Sequence, residues 1–139
     1  MGVLGDDTLF DPLFKIDTEI LLKRLDNKFG IIGKQFLKSD WSPDIDVNRL
    51  DDALLVLDAC IACLKFEYCR INVIIDHNQL GYTGIVEVTD SHIAISDMQK
   101  KLYGASTTSF PKRSEAIGAL PKAVLMVIRK MEMELPDPV

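Results

Sequence analysis

The run Lys100-Lys101-Leu102-Tyr103-Gly104-Ala105-Ser106-Thr107-Thr108-Ser109-Phe110-Pro111-Lys112-Arg113 brings together cations, hydroxyls, a glycine and two aromatic rings. A phosphate-bearing small molecule needs such parts. Cations answer the phosphate charge, hydroxyl or backbone donors bond its oxygens, and a ring stacks on a base. The candidate ligand-binding residues are therefore Lys100, Lys101, Tyr103, Ser106, Thr107, Lys112 and Arg113. The segment is not a P-loop, because the glycine spacing and the Lys-Ser/Thr ending are absent. A polar solvent loop is the plain alternative. Charge sets the run apart: residues 99–131 hold seven basic side chains against one acidic, in a chain of net charge −5. A basic stretch on an acidic body suits a local anion site, a polar partner surface or simply a solvated face.

Other constellations carry less chemistry. Cys60, Cys63, Cys69 and His77 suggest a zinc set, since zinc takes four sulfur or nitrogen ligands in a tetrahedron. Cys60 and Cys63, however, fall within an apolar helical stripe, where cysteine acts as a small hydrophobe. They also lie late in that helix, away from the N-terminus that activates a redox pair. A structural role is expected, with no metal and no cofactor. His77 beside Asp76, and His92 two residues after Asp90, could each form an oriented base. Adjacent strand residues point to opposite faces, which separates Asp76 from His77. No serine elbow accompanies either histidine, so no catalytic residue is assigned and a non-enzymatic protein is expected. Gly30-Ile31-Ile32-Gly33 has the spacing of an RNA-clamping loop but lacks basic residues between its glycines, and it reads as a helix break.

These residues need elements to position them. From Pro12 to about Phe29 apolar residues recur at helical steps, or else Asp17 caps a shorter helix from Thr18. Trp41, Ser42 and Pro43 form a turn, after which Asp44 or Asp46 is placed to cap a second helix running to about Lys65. Its expected apolar stripe is Leu50, Ala53, Leu54, Leu57, Cys60, Ile61 and Leu64. Alternation predicts strands over Arg70–Asp76, Tyr82–Thr89 and His92–Ser96. Short links make them an antiparallel meander. Residues 98–113 read as loop, Ser114 to Leu120 can add one helical turn, and Pro121 suits the first turn of the final helix. The expected fold class is α+β, a two-layer α-β-β-β-α sandwich over residues 39–135, with a helical arm over 1–38 and a tail over 136–139. A lone amphipathic arm must bury its stripe, so Leu13, Ile20, Leu21, Leu25 and Phe29 are candidate oligomer or partner contacts. The same element order occurs in double-stranded RNA-binding domains, which would use Lys112, Arg113 and Lys122. The acidic remainder of the chain opposes that reading.

The chain has 139 residues, 47% of them hydrophobic, enough for one domain with a real core. No apolar run approaches the roughly 18 residues of a membrane span. The start carries no basic region followed by an apolar stretch, so no signal peptide is expected. With three cysteines, a reducing cytosol is the expected compartment.

Asp40-Trp41-Ser42-Pro43-Asp44-Ile45-Asp46, followed by an Ala/Val/Leu helix, resembles the opening of the phage ABA sandwich domain family. Ser114-Glu115-Ala116-Ile117-Gly118-Ala119-Leu120-Pro121-Lys122-Ala123-Val124 is similar to that family's last helix, where a proline and an Ala-aliphatic pair recur. The resemblance spans about Asp40 to Met131. It implies a small bacteriophage accessory protein with no settled activity and no known catalytic residues to carry over, and the host cytosol is the expected place of action. The function expected from it is engagement and inhibition of a host component, such as a defence factor, by a protein that binds a partner or itself. The alternative is sequestration of a nucleotide or cyclic nucleotide at residues 100–113.

Overall fold

A computed structural model describes residues 15–28, 45–63, 69–90 and 100–134. Among the described residues the fold is α+β, with three helices and an open three-stranded antiparallel sheet. Its elements are α1 (Thr18–Lys28), α2 (Leu50–Cys63), β1 (Cys69–Asn78), β2 (Gly81–Asp90), β3 (Lys100–Ser106) and α3 (Arg113–Glu134). The strand order is β1-β2-β3, a meander. α3 lies across β2 and β3, and α2 packs alongside α3.

The shorter version of the first helix is the one that forms. The Asp17 carboxylate accepts the Ile20 N–H at 3.0 Å, as an N-cap does. A latch joins this cap to the start of α2. Asn48 accepts the Ile16 N–H and donates to the Ile16 carbonyl, each at 2.8 Å, while Thr18 Oγ accepts the Val47 N–H at 3.1 Å. Asp46 does not cap α2, which opens at Leu50; it closes a turn just before the helix by accepting the Asn48 N–H at 3.0 Å, and the Asp52 carboxylate accepts the Asp46 N–H at 2.8 Å. Asp44, Leu13 and Phe29 lie outside the described residues.

α1 is part of the core and not a free arm. Leu21, Leu22 and Leu25 are buried in the same cluster as Val56, Leu57, Val86, Val88 and Ile128. Only Ile20, of the expected partner contacts that are described, is exposed, at 64%. Arg24 anchors the helix by a bidentate ion pair, both bonds 3.0 Å, to Glu132, whose side chain is 2% exposed. The apolar stripe of α1 finds its burial partner within its own chain, which periodicity alone does not reveal.

The strands also depart from expectation. A two-residue turn, Gln79-Leu80, joins β1 to β2, with Asn78 opposite Gly81. Gly81 sits at φ 120°, where L side chains are strained, and a Cβ there would strike the Phe110 carbonyl oxygen. The strand that pairs with β2 on its other side is Lys100–Ser106, within the segment expected to be loop. His92–Ser96 lies outside the described residues. α3 starts at Arg113, not at Pro121, and Pro121 stands in its interior. The ring there supplies no N–H to the Ile117 carbonyl, yet the helix continues because its next turns are deeply buried: Ala123, Val124, Val127, Ile128 and Met131 are fully covered.

Gly84 explains how α3 comes so close. A Cβ on it would sit 2.7 Å from Leu120 Cδ2 and 3.2 Å from the Ala116 carbonyl oxygen. The helix rests directly on bare backbone there.

Candidate functional site

β3 has an irregularity that shapes a cleft. Val88 pairs with Tyr103 and Thr89 with Lys101, so Leu102 is the extra residue of a β-bulge. Leu102 and Tyr103, neighbours in sequence, both pack on the core as a result. The last turns of α3 pass in front of them. Lys130 donates to the Gly104 carbonyl, and the Tyr103 hydroxyl donates to the Glu134 carboxylate. Between strand and helix end lies a cleft of ≈510 Å3, lined by Lys101, Leu102, Tyr103, Gly104, Lys130, Met133 and Glu134.

Burial, and then the bond to Glu134, push the Tyr103 phenol up to about 12. It therefore stays protonated and serves as a donor, not as a base. The Lys101 chain runs along Gly104, 3.3 Å from where a Cβ would stand. Two ammonium groups, one carboxylate and the exposed Met133 thus border an apolar floor. This lining holds neither histidine nor cysteine. It can bind by charge and apolar contact.

The structure divides the seven sequence-derived candidates. Lys101 and Tyr103 line the cleft, and Lys100 opens β3 opposite Asp90. Ser106 is exposed at the far end of β3, roughly 17 Å along the strand from Lys101. Thr107 is buried and its hydroxyl is spent: it accepts the Gly84 N–H at 2.8 Å and donates to the Thr108 carbonyl at 2.8 Å. Lys112 and Arg113 are exposed at the opposite end of α3 from the cleft. The segment is not a flexible loop. After β3 it stays fastened to β2, with Tyr82 and Phe110 exchanging two backbone bonds of 2.8 Å.

Lys130, Met133 and Glu134 were not foreseen as site residues. Their spacing of three and four puts them on one side of the helix, but nothing in the sequence says which strand that side faces. Lys122, which a duplex-RNA surface would need, is only 7% exposed. Cys60 is fully buried in the core, and burial raises the thiol of Cys69 at the start of β1. Asp76 accepts from Asn78 Nδ2 at 2.9 Å, while His77 stacks on Tyr82 with ring centres 4.1 Å apart. Gly30-Ile31-Ile32-Gly33 and His92 lie outside the described residues.

Among the described residues, no helix is long and apolar enough to cross a membrane, and no three His, Cys, Asp or Glu side chains come together as a metal set. No family model, curated protein or solved structure matches the chain.

Proposed function

We propose that this is a non-enzymatic binding protein that engages a protein partner through the cleft between β3 and the end of α3. One observation carries the reading: Met133, 70% exposed, stands at a cleft edged by Lys101 and Lys130. An exposed flexible thioether beside cations fits an acidic partner segment with an apolar anchor. The resemblance of Asp40–Asp46 and Ser114–Val124 to phage sandwich domains supports a host component as that partner, and inhibition of a defence factor as the outcome.

The test is to express the wild-type chain and Lys101→Glu/Met133→Glu in bacteria carrying defined defence systems and to measure phage plating. Wild type restoring plating in one strain, with the variant failing, is the expected result. Equal restoration by both would remove the cleft from the reading, and restoration in no strain would remove defence inhibition.

The pairing of Lys101 with Lys130 in one cleft favours a second reading, capture of a nucleotide or cyclic nucleotide, with phosphate held by the two ammonium groups. It predicts a thermal shift with a member of a nucleotide panel that Lys101→Ala abolishes. Absence of any shift would eliminate it.

A further inference from the structure

β1 is an edge strand of the sheet. Tyr82 and Gly84 direct their backbone groups toward Phe110 and Thr107, away from β1. By the alternation of an antiparallel ladder, Thr83, Ile85, Glu87 and Thr89 then bond to β1. Their partners there are Asp76, Ile74, Asn72 and Arg70. The N–H and carbonyl groups of Ile71, Val73, Ile75 and His77 therefore point to the outer edge. Among the described residues no strand covers that edge.

β1 runs ten residues and contains no proline, glycine, lysine or bulge, the usual devices that blunt an edge. Val73, on the helix side, is 39% exposed because α3 lies over β2 and β3 instead, and Ile74, on the opposite face, is 43% exposed.

The sequence of β1 is self-complementary in one register. If Val73 faces Val73 of a second copy across a two-fold axis, residues pair so that their numbers sum to a constant. Arg70 then stands opposite Asp76 of the other copy, twice over. Ile71 meets Ile75 on the helix-side face, and Asn72 meets Ile74 on the other. All outward-pointing backbone groups find partners, because the odd residues of one copy face the odd residues of the next. Registers shifted by two residues put Arg70 opposite Ile74 or Asn78 and lose both charge pairs. In its own sheet Arg70 faces Thr89 and Asp76 faces Thr83, so the two charges are matched across the axis and not within one chain.

We infer that the protein forms a two-fold dimer by antiparallel pairing of β1 with β1 of a second copy, giving one continuous six-stranded sheet. β1 and β3 are opposite edges, so both clefts stay open in the dimer. The inference is thus independent of the cleft reading.

Sedimentation of the full chain over a concentration series tests it. Wild type is expected to show a monomer–dimer equilibrium. Arg70→Asp and Asp76→Arg, both at exposed positions, should each dissociate roughly ten-fold more readily, because each places like charges opposite one another twice. An equimolar mixture of these two variants should recover dimer, since both pairs become attractive again, and so should the doubly reversed chain. Circular dichroism checks that all variants fold. A wild-type chain that stays monomeric at all concentrations would overturn the inference. So would a dimer indifferent to the single reversals, or variants whose mixture does not reassociate.

Discussion

At the residue scale, Tyr103 links the cleft to the pH behaviour of the fold. Its phenol ionises near the ordinary value of 10 when the chain is unfolded and near about 12 when folded. Between these values the unfolded chain has lost a proton that the folded chain retains. Its contribution to stability is therefore complete below about pH 10 and is lost as pH climbs toward 12. In Tyr103→Phe that part of the alkaline decline should vanish from denaturation curves, and spectrophotometric titration of the wild type should show a late-ionising tyrosine. Asp46 acts on the acid side. The Asn48 N–H, and next the Asn48 side chain, hold its carboxyl below the usual 3.8. Its contribution is present above that value and fades as pH falls below it. Asp46→Ala should cost about 0.5–1.5 kcal/mol at neutral pH through its lost bonds to Asn48, read by chemical denaturation, with the gap to wild type closing in acid. Of these residues, Asp46 was expected to cap α2 from its place after Pro43, but α2 opens at Leu50 and Asp46 instead closes a turn on Asn48. Tyr103 was legible only as a candidate ring, because its partner Glu134 is 31 residues away.

At the scale of elements, the meander was readable from alternation in β1 and β2, whose register then followed from one short turn. β3 was not. Lys100, Lys101, Gly104 and Ser106 give it a polar, loop-like composition, and the bulge at Leu102 breaks the period of two where its apolar residues would declare it. His92–Ser96 shows the cleaner alternation and drew the expectation there. The start of α3 was misread for a related reason. Ser114–Leu120 reads as one helical turn and Pro121 as the start of a separate final helix, because proline suits a first turn; the two form one helix, which the deep burial of the later residues permits. Contact between α3 and β2 depends on Gly84. Gly84→Val should push Leu120 outward and cost about 1–3 kcal/mol by overpacking; a melting temperature equal to wild type would contradict the close approach.

For the whole molecule, the main revision is that the first helix belongs to the body. Leu21, Leu22 and Leu25 are each under 7% exposed. Burying such side chains is worth about 1.5–3 kcal/mol apiece before the cost of ordering the helix. That sum is comparable with the ~5–15 kcal/mol net stability of a typical domain. Removal of residues 1–28 should therefore leave a loosened, dye-binding protein, not a trimmed sandwich. A truncated chain that melts cooperatively at the full-length temperature would restore the idea of a separate arm. The helical spacing of α1 announced an apolar stripe but could not name its cover, because the cluster it joins is assembled from α2, β2 and α3 together.

That separation has a consequence for the order of folding. Arg24 and Glu132 lie 108 positions apart, the kind of contact whose loop-closure entropy is recovered late. The hairpin β1–β2 and the helix resting on it can assemble from nearer neighbours, so α1 should dock after the rate-limiting step. Arg24→Met, which leaves the buried Glu132 carboxylate with only the longer Arg129 pair at 3.8 Å, should cost about 1.5–3 kcal/mol. Nearly all of it should appear as faster unfolding, with the refolding arm of the chevron unmoved. A slowed refolding arm would instead place the two ends of the chain together in the nucleus.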